Sequence, residues 1–520
     1  MKKILISIIL MLAFTLSGCE FIFPSDAPAD EGGSGTGNGS SSTIATEGHT
    51  DNDNDGKCDD CHETVLIELD FFVVNDMHGK ITDSDGNVGA EELTTYLKNA
   101  DKSNPNALFL STGDMWQGSS ESNLTNGHIM TDWMGELGFS AMTLGNHEFD
   151  WGTEKIVSNN EVAKFPLLAI NVYERATNER APYAAPSVIV RKSGLEIGII
   201  GAVGDCYSSI SSDKVEDVYF KVGDELTELV TRESERLRAM GCDLIVYSLH
   251  DGFESSRQSE SEIPVSYLSS YYSPKLSREK VVDIVFEAHT HKTYILKDDC
   301  GIYHIQAGGE NKNISHAEIF VNFANGKFKV TEREIISSYT YGKESPDPLI
   351  STLLSKYADK LDRANELLGT LKKKLSSEEV EALVAELYLA KGISAFASEY
   401  QIFLGGGYIK TRSPYDLSAG EIRYRDVQSL LPFDNEIMLC SISGWDLKRR
   451  FINSTNSDYF IALSEYGEAA DIDDNGTYYI VTDSYTALYA PNKLTVVKTL
   501  DSTTFARDLL AAYIKENYGS

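Results

Sequence analysis

The feature that most constrains this chain is a set of five apolar, strand-like runs, each of which stops at residues able to bind a metal ion. The run 65–74 ends in Asn75-Asp76-Met77-His78-Gly79, and 107–111 runs into Thr112-Gly113-Asp114. A third junction reads Leu144-Gly145-Asn146-His147-Glu148-Phe149-Asp150; 244–249 is followed by His250, and 281–286 by His289-Thr290-His291. Short, continuous apolar runs read as strands buried on both faces. In α/β folds the ends of such strands meet at one edge of the sheet, where sites are built. Gly79, Gly113 and Gly145 suit the tight turns needed there. Two divalent ions a few ångströms apart need a bridging oxygen, mixed nitrogen and oxygen ligands and open positions. Asp114 is able to bridge, and Asp76, His78, Asn146, His250, His289 and His291 offer a ligand set suited to Zn²⁺, Mn²⁺ or similar ions. Of ten histidines, His78, His147, His250, His289 and His291 fall at these junctions, which histidines scattered through a core would not do.

At 520 residues the chain exceeds what one core organises, so two folded domains plus accessory segments are expected. Its 46 Lys and Arg against 79 Asp and Glu give a formal charge of -33, which argues against a nucleic-acid polymer as partner. The same charge repels any small anionic ligand unless bound cations invert the local field.

The N-terminus carries a separate message. Lys2 and Lys3 precede the apolar run Ile4 to Leu16, too short to span a bilayer but suited to a signal-peptide core. Leu16-Ser17-Gly18-Cys19 resembles a bacterial lipobox, which predicts removal of residues 1–18, lipidation of Cys19 and an extracytoplasmic protein anchored to the cell membrane. Residues 19–64 read as a flexible tether, with only Gly, Ser, Thr and Asn over 32–43. Within it Asp51, Asp53 and Asp55 alternate before Gly56, as in a Ca²⁺-wrapping loop; the twelfth position from Asp51 is His62, so a solvated acidic linker fits as well. Cys58-Asp59-Asp60-Cys61-His62 formally matches a haem attachment signature, but its hydrophilic surroundings make a disulfide or a small Zn²⁺ clip simpler. With Cys19 set aside, six cysteines remain, and their pairing does not follow from the sequence.

Asp76-x-His78, Gly113-Asp114, Gly145-Asn146-His147-Glu148-x-Asp150, His250 and His289-x-His291 occur in the order of the calcineurin-like metallophosphoesterases. More closely, Asn75-Asp76-Met77-His78-Gly79 and Gly145-Asn146-His147-Glu148-Phe149-Asp150 resemble the bacterial 5'-nucleotidase and UDP-sugar hydrolase family, over roughly Leu66 to Tyr513. The resemblance implies an α/β fold: a metallophosphoesterase β-sandwich flanked by helices over 65–340, a linker helix over 341–376, and a smaller α+β substrate-binding domain over 377–520. It also implies that one ion takes Asp76, His78, Asp114 and His291, and the other Asp114, Asn146, His250 and His289. His147, oriented by Asp150, would stabilise charge on the phosphoryl group or leaving oxygen, while a metal-activated water attacks phosphorus in line. Ala288 stands where the family often has Gly, a small and tolerable change.

In the second domain, Phe403-Leu404-Gly405-Gly406-Gly407, Leu431-Pro432-Phe433-Asp434-Asn435 and Ser443-Gly444-Trp445-Asp446-Leu447 resemble the nucleotidase C-terminal signatures. That likeness makes Phe433 one of two rings that sandwich a base, Tyr485 the second, and Arg412 the phosphate-holding Arg, displaced by an insertion. Stacking of this kind is worth ~1–3 kcal/mol per base. Three departures weaken ribose and phosphate positioning: Leu404 replaces the usual Asn, Leu488-Tyr489-Ala490-Pro491 replaces Gly-Gly-Asp, and 378–386 lacks the usual Gly-Asn and Asp. The expected activity is release of phosphate from nucleoside 5'-monophosphates. Cyclic-nucleotide phosphodiesterase with 3'-nucleotidase activity, or UDP-sugar hydrolysis, remain open on the same scaffold, and so does a non-catalytic nucleoside-binding lipoprotein.

Overall fold

The computed structural model describes residues 20–22, 66–82, 88–253, 281–298, 301–322, 327–412, 414–469, 472–488, 494–500 and 504–519. The signal segment, Cys19, residues 32–43, Asp51, Asp53, Asp55, the Cys58-to-His62 stretch and Tyr489-Ala490-Pro491 lie outside the described residues.

The first unit is built on strands that are apolar on both sides. Along Leu66–Val74 the side chains of Leu69, Phe71 and Val73 enter one core and those of Phe72 and Val74 another, the period of two that a pleated strand imposes. This strand lies in a six-stranded sheet, beside Ala107–Ser111 on one side and Asn313–Asn322 on the other. Facing it is a seven-stranded sheet in which Leu195–Val203, Leu244–His250 and Ile284–Phe286 run parallel. Leu69, Phe71, Leu108 and Leu110 from the first sheet meet Val188, Ile197, Val246, Ile284 and Phe286 from the second, and this is the sandwich core. Helices cover both outer faces: Ala90–Ser103 and His128–Leu137 pack on the first sheet through Leu93, Leu97, Trp133 and Met134, and Asp224–Ala239 packs on the second through Val230 and Leu237. Glu20–Ile22, expected to belong to the tether, instead pairs antiparallel with Ser187–Lys192 at the edge of the seven-stranded sheet, where it satisfies backbone groups an edge strand leaves unpaired.

The five sequence runs emerge as strands, Ala107–Ser111 with the bounds expected and others with shifted ends. His250 is the last residue of its strand instead of the first beyond it, and the fifth run contributes only Ile284–Phe286.

The expected single linker helix over 341–376 is not what forms. The chain makes helices Ser338–Tyr341, Pro348–Lys356 and Ala358–Leu361, a 3₁₀ turn Asp362–Asn365, and then a strand, Leu367–Leu371, paired with Gly420–Arg423. The physical reason is that Leu368 and Leu371 are buried in the second unit's core, and Gly369 between them weakens any helix there.

The second unit is a five-stranded mixed sheet with strands Tyr459–Leu463, Ile402–Tyr408, Thr477–Asp483, Ile437–Ser443 and Thr495–Thr499 in that spatial order. Helix Ser377–Phe396, started by a Ser376/Glu379 capping box, and helix Ala506–Tyr518 cover one face. Among the described residues no helix is long and apolar enough to cross a membrane.

Candidate active site

The strand ends are tied to one another before any side chain is considered. Asp76 N–H donates to Gly113 O at 3.0 Å, and His78 N–H to Asp114 O at 3.0 Å. Thr143 and Ser248, one from each sheet, share a buried hydroxyl hydrogen bond of 2.6 Å directly beneath. A side chain at Gly113, where φ is +98°, would place its Cβ 2.6 Å from the Gly145 nitrogen, so the Asp114 and Asn146 loops approach this closely only because glycine separates them.

Backbone conformation marks the same residues. Asp76 (φ 50°), His78 (φ 49°), Asp114 (φ 53°), His289 (φ 68°) and His291 (φ 52°) all sit in the left-handed region. Each such conformation costs an L-residue about 1–2 kcal/mol and persists only where the surroundings fix it.

Two side-chain groups result, Asp76–His78–His291 and Asp114–His250–His289, and a third, His78–Asp114–His147, joins them. His78 directs Nδ1 at the Gln117 carbonyl (3.0 Å), which leaves Nε2 as a lone pair 3.1 Å from His291 Nε2. His250 likewise directs Nδ1 at Thr112 O (2.7 Å), and its Nε2 lies 3.1 Å from both Asn146 Oδ1 and Asp114 Oδ2. Donors that converge in this way need a cation between them, a metal ion or, at His250 in the ion-free chain, a proton, since against its burial Asp114 raises that imidazole to about 10. Donor chemistry therefore fits two divalent ions, with the His78 and His250 imidazoles each held by a carbonyl behind it. Asp76 is wholly buried, accepts from Asn75 Nδ2 at 2.7 Å and from His289 N–H, and lies 3.4 Å from His291 Nε2.

Burial is the largest influence on every group here, and neighbours decide its outcome. It carries His78 down to about 3 and His289 down to about 4. At Asp114 it would raise the pKa, but His250 and His147 outweigh it and keep the carboxyl well below its ordinary value. His147 is pushed up to about 9 against its burial by Asp150 and Asp114. Its Nδ1 lies 2.6 Å from Asp150 Oδ2, and its backbone N–H donates to Asp114 Oδ1 at 2.9 Å, so the ring is fixed at one nitrogen and its backbone is tied to the Asp114 carboxylate.

His78, Asp114, Asn146, His147, His289 and His291 open into one cavity of about 820 Å³ whose far wall is the second unit, with Asp76 and His250 buried behind them. Phe433 lies against the ring of His147, centroids 5.9 Å apart and tilted by 32°, and the Arg412 guanidinium stands 5.1 Å from the Phe433 centroid. Tyr485 lines the same cavity, but its ring packs on Tyr408 at 5.6 Å.

Glu148 has no metal or proton-transfer role in the sequence motif. The structure shows a wholly buried carboxylate accepting from the N–H groups of Asp114 (2.9 Å), Met115 (2.9 Å), Trp116 (3.2 Å) and Gly145 (2.7 Å), so it fastens two ligand loops at once. A second omission is the network behind the His289–His291 loop. Gln306 Oε1 accepts from Lys292 N–H (2.8 Å) and Thr290 Oγ1 (3.0 Å), Gln306 Nε2 donates to Tyr294 (3.0 Å), and Tyr294 donates to Glu287, which also holds His304 at 2.8 Å.

Residues 69–293 match the family model described as calcineurin-like phosphoesterase. Protein UshA of Yersinia enterocolitica is 24% identical over 81% of this chain and 85% of its own length. The 5'-nucleotidase of Vibrio cholerae is 22% identical over 73% of this chain and 74% of its own. Among solved structures, a 5'-nucleotidase precursor from Thermus thermophilus superposes with a TM-score of 0.64 at 19% identity, covering 86% of this chain and 96% of that one. The two-domain fold, the clustered strand-end ligands and these relatives agree: residues 69–293 form a calcineurin-like metallophosphoesterase domain, and the chain that carries it is a relative of the UshA and 5'-nucleotidase proteins.

Proposed function

We propose that the chain is an exported, lipid-anchored hydrolase that releases phosphate from nucleoside 5'-monophosphates. The observation that carries this reading is that two ligand groups meeting at Asp114 open into the same cavity as His147, Arg412, Phe433 and Tyr485. The names of the Vibrio and Thermus proteins support the nucleotide, and the Lys2-to-Cys19 segment supports export and anchoring.

In this reading Asp76, His78, Asp114 and His291 would hold one ion, and Asp114, Asn146, His250 and His289 the other. Such ions, when bound, neutralise the phosphoryl oxygens and lower the pKa of a coordinated water. The chain's own residues do the rest. Arg412 lines the cavity beside Lys410 and would face the anion, adding positive charge locally in a chain of net charge -33. His147, its Nδ1 fixed by Asp150, offers the proton on Nε2 to the leaving oxygen. Phe433, next to His147, meets the nucleoside that departs. An aromatic wall binds any base without reading its edge, so broad nucleotide tolerance is expected.

The test is phosphate release from nucleoside 5'-monophosphates, cyclic nucleotides and UDP-glucose by the mature chain with added Mn²⁺ or Zn²⁺, beside Asp114→Ala. Metal-dependent release from the monophosphates, absent in the variant, is the expected result. Release from only the cyclic nucleotides or UDP-glucose would replace the substrate, and binding of nucleosides without any release would make the chain a capture protein. Loss of membrane partition in Cys19→Ser tests the anchor.

A further inference from the structure

The loop Leu431-Pro432-Phe433-Asp434-Asn435 brings Phe433 to the metal centre, yet it has no helix or strand of its own. A ring that must meet a departing nucleoside is useful only if it is fixed beforehand, since ordering a loop during binding subtracts from affinity. Something outside the loop has to hold it.

That something is Arg507, in the first turn of helix Ala506–Tyr518. Its side chain is buried, with 6% of the residue exposed. One terminal nitrogen donates to Pro432 O at 3.2 Å and to Phe433 O at 3.0 Å, and the other pairs with the Asp434 carboxylate. Three consecutive loop residues are therefore gripped by one planar group, a task suited to a guanidinium's fixed fork and beyond a single ammonium.

The grip is anchored at both ends. Asp508, beside Arg507, accepts from Phe505 N–H (3.1 Å), Tyr424 Oη (2.9 Å) and Arg363 (2.7 Å). Tyr424 starts the helix Tyr424–Leu430 that leads straight into the loop. From the catalytic domain, Asn123 Nδ2 reaches Pro432 O at 3.5 Å while its amide holds Gly118 N (2.9 Å) and Gly118 O (3.2 Å). The neighbouring Gln117 carbonyl is the one that orients His78.

We propose that Arg507 is the positioning residue for substrate selection: by clamping Pro432, Phe433 and Asp434 it holds the Phe433 ring in place against the nucleoside, and it acts on the bound nucleoside and not on the phosphoryl group. This rests on the nucleotide reading above. An ordinary helix-end ion pair would need only Asp434; the two carbonyl bonds to the ring's own backbone segment are what assign Arg507 this role.

The experiment measures KM and kcat for a nucleoside 5'-monophosphate, together with competitive inhibition by inorganic phosphate, in the Mn²⁺-loaded mature chain. The variants are Arg507→Met, Arg507→Lys, Phe433→Ala and the Arg507→Met/Phe433→Ala double variant. Arg507→Met is expected to raise KM about tenfold with phosphate inhibition unchanged, and Arg507→Lys to fall between it and wild type. In the Phe433→Ala background the same change should move KM by less than about twofold, because the two act through one ring. An unchanged KM in Arg507→Met, a parallel loss of phosphate inhibition, or full additivity with Phe433→Ala would overturn the assignment. Where Arg507→Met does not fold, Asp434→Asn carries the same expectation. A wild type that hydrolyses no nucleotide overturns the functional reading, and the clamp with it.

Discussion

The two walls of the cavity are built by opposite means. On the catalytic side the candidate ligands follow strand ends, all but the exposed His291 are buried or half-buried, and backbone bonds tie their loops together; five of them adopt left-handed backbone. On the facing side, Phe433, Tyr408 and Tyr485 make ring contacts of 5–6 Å, and Phe433 hangs from an irregular loop by one Arg. The difference reflects what each wall must do. Metal ligation tolerates errors of tenths of an ångström, whereas stacking accepts any flat partner over a range of offsets. One wall has to place single atoms; the other has to hold the face of a ring, which one clamp on its backbone can do.

Asp114→Ala breaks that contrast most sharply, because it removes the shared residue of the rigid wall. Turnover should fall by more than about 10³-fold, and metal analysis of the purified variant should show lost ions without loss of fold. Retained stoichiometry would sink the bridging assignment. Glu148→Gln comes next: it keeps the shape but weakens the carboxylate that holds two loops, and metal affinity should drop by about 10–100-fold, read by titration against a chelator. If affinity is untouched, the loops are fixed by the glycine contact alone.

On the softer wall, Phe433→Ala should raise KM about tenfold with bound metal unchanged, and any loss of metal in that variant would contradict the division of labour. The smallest effect concerns His304, which lies 2.8 Å from Glu287 and 3.8 Å from Asp298 beneath the His289–His291 loop. Burial opposes its charge, but the two carboxylates raise its pKa from 6.5 to about 9. A raised value means that the stability it contributes is complete below pH 6.5 and is lost as pH rises through about 9. The loss is on the order of 2 kcal/mol, so the melting temperature should decline by several degrees between pH 7 and 9.5 and decline less in His304→Gln. Equal slopes would show that His304 is not charged in the fold.

The rigid wall was legible in the sequence and the soft one only in outline. Coordination restricts both residue type and place, so Asp76, His78, Asp114, Asn146, His250, His289 and His291 stand out at strand ends, and the structure brings all seven together. Glu148 escaped because its work is to satisfy backbone N–H groups, which no local pattern records. Arg507 escaped because it is more than 70 residues from the loop it holds. The linker was misjudged because the buried leucines of Leu367–Leu371 answer to the second core and not to helical periodicity. Phe433 and Tyr485 share a cavity as the resemblance implies, but their immediate partners, His147 and Tyr408, are set by tertiary packing.

The left-handed ligands have a consequence for anyone who would engineer this protein. At Asp76, His78, Asp114, His289 and His291 the residue most at ease with the backbone is glycine, and glycine brings no ligand. A selection for heat resistance alone would therefore be drawn toward the very positions where chemistry resides, enriching sturdier chains that do nothing. Thermal screens of this enzyme class should carry an activity gate from the first round.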